Sequence, residues 1–210
     1  MTLPNDSINV TPGSGIPIAT HAISGKEYQG LILAGPSGHL TDSLPTYIAW
    51  ANDVALAASK YHISILNASG SGKIVRCHKL FAVNIRVTAA TGAMLRFNTY
   101  KITAHSGGTP VTPEKMDTDN ANLPAEITVI TGATSVTLGN ILFGIPLTGE
   151  EIGATGNLAL GTHVLQGLNL LFESERIQEI VLREGEGIAV RQITSNTAGT
   201  YGWLLIFTVE

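Results

Sequence analysis

The chain has 210 residues, 44% of them hydrophobic and 13% charged, with 23 glycines and a net charge of −4, a balance that excludes a disordered, charge-rich chain. Its 12 Lys and Arg residues are scattered, which argues against a nucleic-acid surface. The single cysteine, Cys77, offers no intramolecular disulfide, MTLPNDSINV lacks the regions of a secretory signal, and no run approaches the ~20 apolar residues of a membrane span. A soluble chain with neither nucleic-acid nor membrane partners is expected.

In chain order, the first stretch carries Pro4, Pro12, Pro17, Pro36 and Pro45, five of the nine prolines, among short apolar pieces. Proline gives no ladder donor, so residues 1–59 are expected as an N-terminal arm or hairpin extension ahead of a body at residues 60–210. Within that arm, the Ala-rich run Tyr47–Ser59 suggests a short helix capped near Ser43, or else a strand leading into Tyr61–Leu66. From Ile74 to Val87 the pattern is period two, with Val75, Cys77, Phe81, Val83, Ile85 and Val87 alternating with polar residues. Thr91-Gly92 makes a turn, Leu95 and Phe97 resume the alternation, and a change of parity at Tyr100, Ile102 and Ala104 suggests a bulge. Gly107-Gly108 marks a tight turn. Further strands are expected at Thr109–Met116, Ile127–Thr131, Asn140–Leu147, Val164–Phe172, Ile177–Leu182, Ile188–Thr194 and Tyr201–Val209. The fold class is therefore all-β, an antiparallel jelly roll or β-sandwich with a Pro/Gly-rich N-terminal arm. In Tyr201–Val209 the odd residues are apolar and so are Leu204 and Ile206 opposite them. A strand apolar on both sides is central or at a subunit interface, and a homo-oligomer is expected, a trimer ahead of a dimer.

No residue is assigned a catalytic, cofactor-binding or metal-ligating role. Asn67–Lys73, NASGSGK, resembles a phosphate loop but has Asn where the first Gly belongs and Ile74 where a hydroxyl should hold Mg²⁺, and it runs into a strand. It reads as a flexible lead into that strand. Cys77 and His78 are strand neighbours that point to opposite faces. Asp117–Asn120 starts like a calcium loop, yet Ala121, Asn122 and Thr128 stand where a ligand, a Gly and a Glu are needed; whether that loop holds an ion is left open. His21, His39, His62, His78, His105 and His163 have no paired-ligand spacing. Gly35-Pro36-Ser37-Gly38-His39 departs from a nucleophile elbow at its fifth residue. Glu173, Glu175, Glu179, Glu184 and Glu186 read as charges that keep strand edges apart rather than as paired acid and base. Asn9-Val10-Thr11 and Asn67-Ala68-Ser69 match the glycosylation pattern, which has no consequence without a secretory route.

Four stretches, INVTPGSGIPIATHAISGKEYQGLIL, ILNASGSGKIVRCHKLFAVN, RFNTYKITAHSGGTPVTPEKMDTDNANLPAEITVITGAT and REGEGIAVRQITSNTAGTYGWLLIFTVE, together resemble virion structural proteins of tailed bacteriophages, in particular jelly-roll decoration or cement proteins of the capsid. The resemblance implies an oligomeric, non-enzymatic protein on the capsid exterior, assembled in the bacterial cytoplasm, with the major capsid protein as partner and the Pro-rich N-terminal part as a clamp on the shell. The rival expectation is a receptor- or carbohydrate-binding jelly roll of a tail fibre or spike, with Tyr28, Tyr47, Trp50, Tyr100, Tyr201 and Trp203 stacking on sugars.

Overall fold

A computed structural model describes residues 19–23, 26–30, 44–85, 93–149, 168–169, 179–195, 197 and 199–210. The chain divides into two units, residues 1–43 and 44–210. In the first, β1 (Ala19–Ile23) and β2 (Lys26–Gly30) form an antiparallel hairpin. Elements of the second are β3 (Thr46–Ala55), β4 (Tyr61–Asn67), β5 (Val75–Asn84), β6 (Ala93–Ser106), β7 (Thr109–Val111), β8 (Glu114–Lys115), β9 (Ile127–Thr131), β10 (Ser135–Gly149), β11 (Leu168–Asn169), β12 (Ile180–Leu182), β13 (Glu186–Gln192) and β14 (Thr200–Val209).

These strands form two antiparallel sheets packed face to face, a β-sandwich. One, the β14 sheet, has the order β11-β5-β14-β3-β8 with β12 also on β5; the other, the β13 sheet, has the order β10-β6-β13-β4-β9-β7. Take β3, β4, β5, β6, β10, the β11 and β12 pieces, β13 and β14 as first to eighth. The first sheet then runs first, eighth, third, sixth, and the second runs second, seventh, fourth, fifth. That interleaving is a jelly roll, with β7 to β9 inserted between the fourth and fifth strands. The expected fold class holds.

Two expectations are corrected. Residues 46–55 are strand β3 and not a helix, and they lie beside β14 inside the sheet. The boundary between the two units accordingly falls at Ser43/Leu44 rather than at residue 59. Of the two readings of this Ala-rich run, helix or strand, the strand holds; both of its faces carry apolar side chains, and the strand bulges. Val54 pairs with Tyr201 and Ala51 with Trp203, leaving Asn52 and Asp53 opposite Gly202 alone, with Asp53 at a φ of 53°. The bulge moves the inward set from Tyr47, Ala49 and Ala51 to Val54.

At Tyr100 the expected bulge is absent from the pairing with β13, which runs in unbroken register from Gly187↔Ile102 to Gln192↔Phe97. Leu95 and Phe97 face the main core, while Tyr100 and Ile102 turn outward and bury themselves against Ala189, Tyr61 and Val136. It is the apolar residues that change face. In the pairing with β10 the register does break at Ala104, Ile102 and Tyr100, where the bulge was expected.

Between the sheets, Trp203, Tyr47, Phe97, Phe207, Leu205 and Leu80 are almost wholly buried. Phe97 of one sheet meets Trp203 of the other edge to face at 5.2 Å, and Tyr47 stacks on Phe207 at 5.6 Å. Such ring pairs add about 0.5–1.5 kcal/mol each beyond area burial.

Candidate functional site

The outer face of the β14 sheet follows directly from strand alternation. On β14, Tyr201, Trp203, Leu205 and Phe207 enter the core, so Leu204 and Ile206 face outward. On β3, Tyr47 and Ala49 go in and Ile48 and Trp50 go out; on β5, Leu80 and Ala82 go in and Phe81 and Val83 go out. Register then gathers residues far apart in sequence. Phe81, Leu204 and Trp50 form one row, Lys79, Ile206 and Ile48 the next, and Val83 stands beside Gly202. The side chains are half-buried except Trp50, which is 46% exposed, and Gly202 is buried. Its ring lies over Gly202, where an added Cβ would stand 2.6 Å from it, so only glycine allows the indole to lie flat on the sheet.

A polar cluster ends this apolar face. Arg76 forms a forked pair with the Glu210 carboxylate, and Glu179 lies 3.9 Å from the same guanidinium. His78 Nε2 is 2.9 Å from Thr208 Oγ1, and its Nδ1 is 3.2 Å from Glu179 Oε1. The hydrogen bond to Arg76 holds the Glu210 carboxyl below the usual range, and the same bond raises the guanidinium. An apolar sheet face with a rim carrying both signs of charge is suited to contact with another macromolecule.

Comparison with protein-family models, curated proteins and solved structures finds no match to this chain.

The residues singled out by sequence fall in several places. The Asn67–Lys73 loop does cradle an anion, its own. Gly70 N–H donates to Glu184 Oε2 at 3.1 Å and Gly72 N–H to Glu184 Oε1 at 2.7 Å, with both glycines at positive φ. Asn67 is buried, and its amide donates to the Lys73 and Leu182 carbonyls at 2.8 and 3.1 Å. The loop is thus tied down, a correction to the expected flexible lead, and the Asn67 amide is occupied. Cys77 lies in the core, where burial pushes its thiol up to about 12, while His78 looks out. In the Asp117–Asn120 loop, Asp117 Oδ1 accepts from Asp119 N–H, and the Lys115 ammonium takes the Thr118 and Asn120 carbonyls at 3.3 and 2.8 Å. A cation already sits on those oxygens. No group of three metal-ligating side chains occurs among the described residues.

Glu186 accepts from Arg183 N–H at 2.8 Å, so Glu179, Glu184 and Glu186 each hold a separate turn or strand end. Of the six aromatics, Tyr47, Tyr100, Tyr201 and Trp203 are buried and Trp50 is on the surface. The side chains of His21 and Tyr28 lie outside the described residues, as do His39, His163, Glu173, Glu175, the Gly35–His39 stretch and Asn9.

Sequence spacing gave no hint of one hydrogen-bonded chain. Ser64 Oγ is 2.8 Å from His105 Nδ1, and His105 Nε2 is 2.8 Å from Thr128 Oγ1. Burial lowers the His105 imidazole. Ser64 is only 2% exposed, and a threonine hydroxyl cannot stabilise an imidazolium as a carboxylate does. The chain links β4, β6 and β9, running from buried Ser64 through half-buried His105 to exposed Thr128. An open cleft of about 460 Å³, lined by Tyr47, Val111, Pro113, Leu123, Pro124 and Val129, lies beside the inserted strands. Its titratable lining is Tyr47, Glu114 and Lys115, and the Lys115 ammonium is taken up by the Thr118 and Asn120 carbonyls.

Proposed function

We propose that the protein is a non-enzymatic structural component of a tailed-phage virion, a decoration or cement protein that binds the outside of the assembled head and bridges neighbouring copies of the major capsid protein. The observation that carries this reading is the apolar outer face of the β14 sheet, where Ile48, Trp50, Phe81, Leu204 and Ile206 lie in register on a rigid jelly roll. A broad apolar face on a rigid sandwich fits a partner surface rather than a small substrate. Residues 1–43 supply the second contact, the clamp implied by the resemblance. Binding only the assembled shell stabilises it by RT ln(1 + [L]/Kd), about 2.7 kcal/mol per site at a hundredfold excess over Kd, and repetition over many sites resists the pressure of packaged DNA.

Heads assembled without the protein test this. Adding it back is expected to raise their rupture temperature, and Ile206→Lys is expected to abolish head binding while its own melting changes little. Equal rupture thresholds with and without bound protein would refute the reading. One observation favours the receptor-binding alternative, the exposed Trp50 ring lying flat on Gly202 as a stacking platform. A glycan-array signal lost in Trp50→Ala would select it.

A further inference from the structure

We infer that the outer edge of β10 is where two copies of this chain pair, strand against antiparallel strand about a two-fold axis. This does not rest on the virion reading.

A sheet edge presents unpaired N–H and C=O groups, and folded proteins blunt it with short strands, proline or charge. Three of the four edges of this sandwich conform. They are carried by β7, β8 and the β11 and β12 pieces, each two or three residues long, with Pro110 in β7. The fourth is β10, fifteen residues long, which pairs with β6 alone among the described residues.

Its side chains are equally unprotected. Every residue from Thr137 to Leu142 is exposed, and Leu138, Ile141 and Leu142 are three of the seven large hydrophobic residues exposed among those described. Register breaks against β6 leave Gly139, Asn140 and Leu142 without a partner residue on that strand. Pairing with β6 and cover of the side chains by described residues are thus missing over the same few residues.

The occupant follows from charge and symmetry. Ser135–Gly149 contains no charged residue, so a second β10 meets no like-charge repulsion, and nothing on the strand selects a charged partner. An antiparallel pair with its axis between Gly139 and Asn140 sets Leu138 opposite Ile141 and Thr137 opposite Leu142, twice over. The patch is complementary to itself, as an isologous contact requires. The ladder about that axis runs from Ser135 to Gly144 and stops short of Pro146, which has no N–H to offer. This contact closes with two copies, unlike the trimer expected from the sequence.

Sedimentation of the full chain over a wide concentration range is the test. A monomer–dimer equilibrium is expected, weakened on the order of tenfold or more by Ile141→Lys, since a charge then stands opposite the apolar Leu138 of the second copy. Met116→Lys, at a residue 61% exposed and off the strand, should leave it unchanged. Leu138→Glu combined with Ile141→Lys brings opposite charges face to face and should restore pairing. Amide exchange on the unsubstituted chain gives a readout independent of any variant, with protection at residues 138–144 rising with concentration. The inference is overturned by a monomer at every concentration, by a dimer indifferent to Ile141→Lys, or by failure of the double variant to restore pairing. Protection of those amides already present in the monomer would also overturn it, because the chain's own residues would then cover the edge.

Discussion

Acidification is expected to destabilise the sandwich through His62. In the pairing of β4 with β13, Val190 faces Ile63 and Arg191 faces Tyr61, so His62 is the extra residue of a bulge and its ring turns inward with Ile63. There it is 0% exposed, with Phe97 at 5.1 Å and Trp203 at 5.4 Å. Its Nε2 lies 3.0 Å from Gln192 Oε1, which also accepts the Ala57 N–H, while the Gln192 amide nitrogen donates to the Thr194 carbonyl. That orientation makes His62 Nε2 the donor and leaves Nδ1 as a lone pair with no partner. Burial pushes the imidazole from 6.5 down to about 4, against the Gln192 hydrogen bond and with a small further push from the Lys60 ammonium.

The unfolded chain takes up this proton near pH 6.5 and the folded one only near 4, so between those values the unfolded state binds more protons. Stability is therefore intact above the unfolded value and is lost as pH falls toward the folded one. At about 1.4 kcal/mol per unit, the full loss is about 3 kcal/mol, of which about 2.5 kcal/mol falls between roughly pH 7.5 and pH 4.5. Urea unfolding of the wild type and of His62→Gln at both pH values isolates the effect. The substituted amide can donate to Gln192 but cannot titrate, and carboxylate contributions common to both proteins cancel. The stability gap between the two should narrow by about 2.5 kcal/mol at the lower pH. Parallel pH profiles, or an imidazole titration near 6.5 in the folded protein, would refute the reasoning.

Deleting residues 1–43 should leave a cooperatively folding body by calorimetry, whereas deleting 1–59 removes β3 with Tyr47, Ala49 and Ala51 and should abolish the transition. Trp203→Ala and Phe207→Ala, at residues 0% exposed, are each expected to cost about 3–5 kcal/mol in chemical denaturation. Glu184→Gln should speed amide exchange at Gly70 and Gly72 while changing global stability by less than about 1 kcal/mol, because that contact is exposed.

Where one face of a strand is buried and the other polar, the sequence was sufficient, as in the first part of β5. It left β3 open between helix and strand, because Ile48 and Trp50 are apolar outside and Tyr47 and Ala49 apolar inside, so no period of two survives. At Tyr100 the parity change in the sequence coincides with register breaks against β10 and with burial of Tyr100 and Ile102 on the outer face. For the candidate surface, Leu204 and Ile206 stood out on their own strand. Trp50 and Phe81 joined them only through register, a pairing of residues more than a hundred positions apart that no local pattern encodes. The Gly70–Gly72 loop read as a flexible lead because the carboxylate that ties it down, Glu184, arrives from 112 residues further on.

Electron microscopy of intact particles tests the central claim most directly. The account predicts density for the sandwich on the outer surface of the head, its β14 sheet face against the shell and bridging neighbouring capsomers. Density confined to the tail tip, or heads bearing none, would contradict it.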